Sequence, residues 1–330
     1  MKISKRLKSY SEFVNESKKK DRRIQFIKVD PIKSSTDNDT MKDLTEKSRD
    51  RFFEVFLEED YGDILELSKD IDLDRPMLVY AGSKDPNTEK FVMEVYNKKS
   101  EMVYNLPKEM KKAGSKVEFH KIFEGEEFVP KTVFNLDEAE KLTWPVIAKP
   151  AEGHSGIGIE KFKKFEDLKI SKNKFDLYSE CINFDREFRV LCVKDKPIIL
   201  YERQLIESDN KSIETKKPDE QVSFVYIDQD MEKSGLMKGL NEIIEKFMKK
   251  IPLGVYSLDF FTENETGNIK IIEANSCSGL GANSLVHVYE SLYEDFYGEE
   301  LPRDDAEFVA NIKKGYRKVV FEDYPNEYKK

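Results

Sequence analysis

Residues 255–275 read VYSLDFFTENETGNIKIIEAN, and they carry the strongest signal in this chain. Two apolar runs flank the polar turn 264–267, which is the pattern of an antiparallel β-hairpin. Symmetric pairing about this turn brings Asp259 close to Glu273, and Asn275 shares a strand face with Glu273. Two carboxylates and an amide oxygen suit Mg²⁺. The alternative is an exposed polar strand face, but an unpaired carboxylate inside the apolar run VYSLDFF would be costly.

A second candidate site lies upstream, where Lys149 ends the apolar strand PVIAKP. The turn that follows contains two glycines, which allow backbone N–H groups to approach an anion closely. This arrangement would hold a phosphate group. It lacks the GxxxxGK[ST] pattern of a Walker A loop, so an ordinary surface turn is the better explanation when the turn is taken alone. The turn residues are Glu152, Gly153, His154, Ser155 and Gly156.

A third segment, LYSECINFDREFRV (177–190), combines an extended linker with two charged residues on one strand face. Backbone groups of residues 179–182 would bind the edge of an adenine base. Glu187 would accept hydrogen bonds from ribose hydroxyls, and Arg189 would meet a γ-phosphate. A plain Glu–Arg pair on a sheet surface would explain the segment if it stood alone.

These segments do not stand alone, because five of them occur in an order that resembles the ATP-grasp superfamily. That superfamily includes D-alanine–D-alanine ligases, glutathione synthetases and ribosomal-protein glutamate ligases. The resemblance runs from Lys116 to about Leu292, more than half of the chain. The matching segments are SKVEFHKIFEGEEFVPKT, PVIAKPAEGHSGIGI, YSECINFDREFRV, YSLDFF and IIEANSCSGLGANSL.

The resemblance implies a mixed α/β fold of the α+β kind, in which two α+β subdomains clamp ATP behind a small α/β N-terminal region. It also implies a role for each matching residue. Lys116 and Lys149 would contact phosphates, and turn 152–156 would close over the triphosphate as a lid. The adenine hinge would be formed by Glu180, Cys181 and Ile182, and the ribose acid would be Glu187. Two Mg²⁺ ions would be held by Asp259, Glu273 and Asn275, with Arg189 near the transferred phosphoryl group.

The substrate side of the resemblance is less complete. The segment SCSGLGANSL is similar to the loop that receives a substrate carboxylate in D-alanine ligases, so Ser278, Gly279 and Ser284 are candidates for that contact. Those ligases carry an arginine two residues before the first metal acid, whereas this chain has Ser257. Because that arginine helps to stabilise the acyl phosphate, its absence puts a D-alanine substrate in doubt.

The activity implied is ATP-dependent ligation of a carboxylate to an amine through an acyl phosphate, on an amino acid, a peptide or a protein tail. Two alternatives stay open. The same fold hosts kinases that phosphorylate small molecules, and a nucleotide-binding protein without catalysis is the third reading. The intact set Asp259, Glu273 and Asn275 argues against the last of these.

Composition limits the setting of this activity. The formal net charge of −9 argues against general nucleic-acid binding, and three cysteines without metal-type spacing favour a reducing compartment. No apolar run approaches a membrane span and no secretion signal is visible, so we expect a cytoplasmic protein with no membrane partner. Residues 1–23 hold nine Lys or Arg against three acids. A solvated tail is favoured over an arm for a macromolecular substrate, and a homo-oligomer stays open.

The chain divides into four predicted regions. Residues 1–40 are predicted to be a basic, partly irregular arm, and residues 41–115 a helical and small α/β region. Within the latter, residues 41–70 are predicted to be helical, with Phe52, Phe53, Phe56 and Leu57 on the apolar face. Residues 116–182 are the predicted first ATP-grasp subdomain with its lid hairpin. Residues 183–330 are the predicted second subdomain, with the metal site and a C-terminal helix.

Overall fold

The computed structural model describes residues 21–28, 39–57, 70–80, 86–151, 158–203, 222–225, 235–264, 266–276 and 280–321. Within these ranges, no helix combines the length and apolar character needed to cross a membrane. The turn 152–156, Ser278, Gly279 and residues 1–20 of the basic arm lie outside the described residues.

Helices and strands alternate in an irregular order along the described chain. The helices are α1 (Asp39–Phe52), α2 (Pro86–Lys98), α3 (Pro107–Gly114), α4 (Lys116–Ile122), α5 (Leu136–Ala139), α6 (Phe165–Lys169), α7 (Gly235–Lys250), α8 (Ala282–Tyr297) and α9 (Arg303–Phe321), with a 3-10 turn at Ser100–Met102. The strands are β1 (Ile24–Lys28), β2 (Phe53–Leu57), β3 (Met77–Tyr80), β4 (Val103–Tyr104), β5 (Thr132–Val133), β6 (Val146–Lys149), β7 (Glu160–Phe162), β8 (Leu177–Glu180), β9 (Phe184–Val193), β10 (Lys196–Arg203), β11 (Val222–Val225), β12 (Val255–Glu263) and β13 (Ile269–Asn275).

These strands form three sheets. The N-terminal sheet is parallel, in the order β2-β1-β3-β4. The small sheet, β5-β8-β6-β7, and the central sheet, β11-β10-β9-β12-β13, are antiparallel throughout. The mixed α/β class predicted from the sequence is therefore confirmed. The predicted region boundaries at 40, 115 and 182 stay predictions.

The N-terminal sheet corrects the prediction of a partly irregular arm over 1–40 at residues 24–28. Residues 24–28 form β1, which lies between β2 and β3 in the sheet. The polar Gln25 interrupts the apolar run and hides the strand signal. It is fully buried nevertheless, because its amide donates to the Asp72 carbonyl at 2.8 Å and accepts from the Asp72 N–H at 2.6 Å.

The helix predicted over 41–70 is wrong at residues 53–57. Helix α1 ends at Phe52, and residues 53–57 continue directly as strand β2. The aromatic positions 52, 53 and 56 fit helical spacing, but Phe53 and Phe56 are buried from a strand. Aromatic and β-branched residues such as those in FEVFL favour strands, and that preference prevails here.

The central sheet buries both of its faces. One face packs its aromatic side chains against α7, where Phe247 stacks on Tyr256 with ring centroids 4.8 Å apart. The opposite face carries Leu191, Val193 and Val255, which share one core with α8 and with the N-terminal sheet. The small sheet has a separate core that includes Val146, Ala148 and Tyr178. Its antiparallel β6–β7 pair confirms the predicted pairing of these two strands, and the lid role of the turn between them stays a prediction.

A buried asparagine joins the N-terminal sheet to the central sheet. The Asn105 side chain accepts from the N–H groups of Gly254 and Val255 at 2.7 and 2.8 Å and donates to the Val255 carbonyl at 2.8 Å. Asn105 has φ of 67°, a left-handed conformation that asparagine tolerates better than most residues. A Cβ on Gly254 would lie 2.6 Å from the Cβ of Tyr104, so only glycine fits there. We call this group the Asn105 clasp.

Replacing Asn105 with alanine is expected to lower the free energy of unfolding by about 3 kcal/mol, because three buried backbone groups lose their partners. Denaturant unfolding measures this change. Asn105→Gly keeps the left-handed backbone but not the hydrogen bonds, so it separates the two contributions. Asn264→Ala, at an exposed turn of the β12–β13 hairpin, is the control and should stay within about 0.5 kcal/mol of the wild type. An equally small loss in Asn105→Ala would contradict the clasp.

Candidate active site

Four polar side chains form one row across the central sheet. Strand pairing places Tyr201 opposite Arg189, Arg189 opposite Asp259, and Asp259 opposite Glu273. Directly paired residues of antiparallel strands share a face, so the row runs over β10, β9, β12 and β13 on one side of the sheet. This is the face that packs against α8 farther along the strands. The polar row therefore begins where the hydrophobic core of that face ends.

The row depends on a β-bulge in the β12–β13 hairpin. Asp259 pairs with Glu273, whereas Phe260 pairs with Ile271, which leaves Ile272 as an extra residue in β13. Without the bulge, Asp259 would face Ile272 and Glu273 would point to the opposite side. The predicted proximity of Asp259 and Glu273 is confirmed, and the bulge is the reason for it.

At the centre of the row, Arg189 and Asp259 form a two-pronged ion pair. Arg189 Nε donates to Asp259 Oδ1 at 2.5 Å and Nη2 donates to Oδ2 at 2.6 Å. The Asp259 side chain is only 5% exposed and that of Arg189 is 26% exposed. Burial disfavours the charged guanidinium, but the hydrogen bonds and charge of Asp259 outweigh it and raise the pKa of Arg189.

Glu273 contacts Asn275 on the same strand and lies near Lys116 of helix α4. Asn275 Nδ2 donates to Glu273 Oε1 at 3.3 Å, and Lys116 Nζ lies 3.9 Å from Glu273 Oε2. In the described part of the chain, no group of three His, Cys, Asp or Glu side chains stands close enough to hold a metal alone. Two carboxylates and an amide oxygen nevertheless fit Mg²⁺, which protein sites often hold by one or two carboxylates together with nucleotide phosphates.

The two predicted phosphate lysines lie near a histidine that the sequence did not single out. Lys149 ends β6 and is buried, and Lys116 begins α4 one helical turn before His120. Burial, and then the nearby charge of Lys149, lowers the pKa of His120 to about 3. The backbone of Ile272, the bulged residue, lies beside the same imidazole. Burial therefore keeps His120 neutral where it lies beside Lys149 and the β12–β13 hairpin. The i, i+4 spacing from Lys116 was its only signal in the sequence.

The predicted adenine hinge lies where β8 gives way to β9. Glu180 Oε1 accepts from the Thr143 N–H at 2.9 Å, and the Cys181 N–H donates to the Pro145 carbonyl at 3.0 Å. The Cys181 N–H is therefore already hydrogen-bonded within the protein. Ile182 is half-buried. Glu187 is buried on the same strand face as Arg189, two residues before it.

On the substrate side, Ser284 is the predicted residue that the structure describes. Its hydroxyl lies 2.6 Å from the Tyr201 hydroxyl, which ties the first turn of α8 to the end of the polar row. Tyr201 was not predicted, and its signal was its position opposite Arg189 across the turn 194–196.

Ser257 is fully buried in the next row, between Leu191 and Asn275. Gly153, His154, Ser155, Gly156, Ser278 and Gly279 lie outside the described residues, so their roles stay predictions.

Known proteins of similar sequence and structure indicate the family of this chain. A D-alanine–D-alanine ligase of Acetivibrio thermocellus is 26% identical over 162 residues, which span 47% of this chain and 42% of that protein. This chain thus matches less than half the length of that relative. The structure is also similar to that of a D-alanine–D-alanine ligase from Bacillus anthracis, with a TM-score of 0.56 and 16% identity, covering 92% of this chain and all of the other.

A second structural match has a different name. The N5-carboxyaminoimidazole synthetase of Staphylococcus aureus, complexed with ADP, has a TM-score of 0.58 and 12% identity, covering 86% of this chain and 79% of that one. Both structural matches are ATP-grasp proteins, which confirms the predicted fold. The family described as D-ala D-ala ligase C-terminus matches residues 110–291, more than half of the chain. The chain therefore belongs to the D-ala D-ala ligase C-terminus family of ATP-grasp proteins.

Proposed function

We propose that this protein is an ATP-dependent carboxylate–amine ligase that works through an acyl phosphate. One observation carries the proposal. The bulge-set row of Arg189, Asp259 and Glu273 lies beside Lys116 and within reach of the His120–Lys149 group. Basic side chains and carboxylates that could bind a metal therefore lie close together. Transfer of a phosphoryl group from ATP to a carboxylate requires such a site, because both reactants are negatively charged.

In the proposed reaction, a substrate carboxylate oxygen attacks the γ-phosphorus of ATP. The new O–P bond forms as the bond to the β-phosphate oxygen breaks and ADP leaves. An amine nitrogen then attacks the acyl carbon, the C–O bond breaks, and phosphate and a proton are released. The products are an amide, ADP and inorganic phosphate.

The described side chains have separate tasks in this proposal. Lys116 and Lys149 bind triphosphate oxygens as fixed positive charges, and Arg189 meets the transferred phosphoryl group with its planar fork. Asp259, Glu273 and Asn275 would hold Mg²⁺, which when bound neutralises charge on the triphosphate. Glu187 binds the ribose, and Ser284 with Tyr201 borders the substrate. Turn 152–156, through Gly153, His154, Ser155 and Gly156, covers the phosphates.

We infer the setting of this reaction from the same observations. The substrates are small molecules or peptides, and the enzyme works in the cytoplasm. Tethering of a macromolecule by the basic arm and assembly into a homo-oligomer stay predictions. Within the described part of that arm, Arg22 lies 2.5 Å from Glu299, so this arginine is engaged by the protein itself.

The direct test measures ADP release from Mg-ATP with pooled amino acids, short peptides and polyols, followed by mass spectrometry of the products. An amine-dependent product that has lost water relative to its two precursors supports the ligase. A product that has gained one phosphoryl group would replace it with a kinase. Nucleotide binding without ADP from any pool would favour a protein that only binds.

Glu273→Gln keeps the size of the side chain but removes one metal carboxylate. We expect ADP release to fall about 1000-fold, since about 4 kcal/mol of charge stabilisation in the transition state is lost. Circular dichroism should show an unchanged fold. Glu263→Gln, on the same hairpin and paired with Lys270 at 3.8 Å, is the matched control and should retain activity. Full activity in Glu273→Gln would remove Glu273 from the metal site.

Lys149→Met removes a buried positive charge from the end of β6. Binding of the Mg complex of the non-hydrolysable analogue AMPPNP is expected to weaken about 10- to 100-fold, because a charge-assisted hydrogen bond contributes about 1.5–3 kcal/mol. Calorimetry measures the affinity. Lys161→Met on the neighbouring strand β7 is the control and should bind normally. Unchanged affinity in Lys149→Met would show that this lysine faces away from the phosphates.

The same variant tests the placement of Lys149 beside His120. The chain has three histidines, so their imidazole NMR signals can be titrated individually. In the wild type, His120 is expected to titrate with a pKa of about 3. In Lys149→Met its pKa should rise, because a nearby positive charge no longer opposes protonation, yet stay below the ordinary value because burial remains. An unchanged pKa would place the two side chains apart.

A further inference from the structure

Arg189 donates hydrogen bonds to both carboxylate oxygens of Asp259, a proposed metal ligand. The guanidinium meets them with two parallel N–H donors at 2.5 and 2.6 Å, which is the strongest geometry available to these groups. Since the Asp259 side chain is almost completely buried, its charge needs a compensating partner before any metal arrives. Arg189 supplies that charge.

A divalent cation and a guanidinium repel each other on a single buried carboxylate. The other carboxylate of the row, Glu273, already lies close to Lys116, and Tyr201 carries no charge. Two carboxylates would therefore face a divalent cation and two basic side chains. Arg189 is more exposed than Asp259 and ends a long side chain with several rotatable bonds. The arginine, rather than the aspartate, is therefore the partner that has room to move.

We propose that Arg189 pairs with Asp259 when neither metal nor nucleotide is bound, and that it transfers to the nucleotide phosphates when metal and nucleotide enter together. The proposal rests on the metal role of Asp259 in the proposed function. Metal entry and clamping of the phosphates are then a single exchange: the metal takes the carboxylate, and the released guanidinium takes the phosphate. A metal ion without nucleotide displaces Arg189 into solvent with no anion to receive it.

The exchange can be distinguished from a fixed Arg189–Asp259 pair, because the two predict opposite changes in metal affinity when Arg189 is removed. If Arg189 stayed on Asp259 in the loaded enzyme and only aimed the carboxylate, its removal would weaken metal binding. If Arg189 competes with the metal, its removal strengthens the binding of metal alone and weakens the binding of metal with nucleotide.

The test uses the full-length protein, Mn²⁺ as the probe ion and electron paramagnetic resonance to count free Mn²⁺. In Arg189→Gln we expect Mn²⁺ alone to bind at least about 10-fold more tightly than to the wild type. Mn²⁺ with AMPPNP should bind more weakly, and the thermal midpoint of the empty protein should fall. Arg51→Gln removes an arginine paired with Asp305 outside the polar row and should change neither affinity. Equal or weaker binding of Mn²⁺ alone in Arg189→Gln would overturn the exchange.

Two further variants keep the outcome decisive. Adding Asp259→Asn to Arg189→Gln should abolish the gained Mn²⁺ affinity; if the gain persists, Asp259 is not the ligand and the metal site of the proposed function fails instead. Should Arg189→Gln not fold, Arg189→Lys keeps the charge but loses the two-pronged geometry. It is then expected to give a smaller gain in the same direction, and a loss would again contradict the proposal.

Discussion

The β12–β13 register is the constraint on which the rest of the site depends. A single extra residue, Ile272, turns Glu273 onto the face that already carries Asp259, and Arg189 and Tyr201 then fall into line through ordinary antiparallel pairing. The freed backbone of the same residue lies beside His120. One local irregularity thus aligns the carboxylates with each other and sets them against the helix that begins with Lys116.

The buried charges of the site are balanced in pairs of side chains. Arg189 neutralises Asp259, and Lys116 lies beside Glu273. Burial keeps His120 neutral, so the imidazole adds no positive charge that would repel the nearby Lys149. Such balance allows a strongly charged site to persist in a folded protein. It also means that a bound nucleotide must compete for cations that already have partners.

Much of this architecture could be read from the sequence, and the failures have identifiable causes. Hairpins have local sequence signals, namely a turn between two strand-like runs, so β6–β7, β9–β10 and β12–β13 could be predicted. The strand positions of Lys149, Asp259 and Glu273 followed from these hairpins. Strand β1 was not predicted, because its buried Gln25 forms its hydrogen bonds with the backbone of Asp72, which is distant in sequence. The bulge and the Tyr201–Ser284 contact are likewise set by pairing between segments, which a single sequence does not display.

The Asn105 clasp has a consequence for any attempt to excise the matched region. A fragment of residues 110–291 would lose Asn105, and three backbone groups of Gly254 and Val255 would be orphaned at the first turn of β12. The same cut would strip Leu191, Val193 and Val255 of the N-terminal sheet that shares their core. The segment defined by family likeness therefore shares its core with β1 to β4, which lie outside it, and we expect it to need those strands in order to fold.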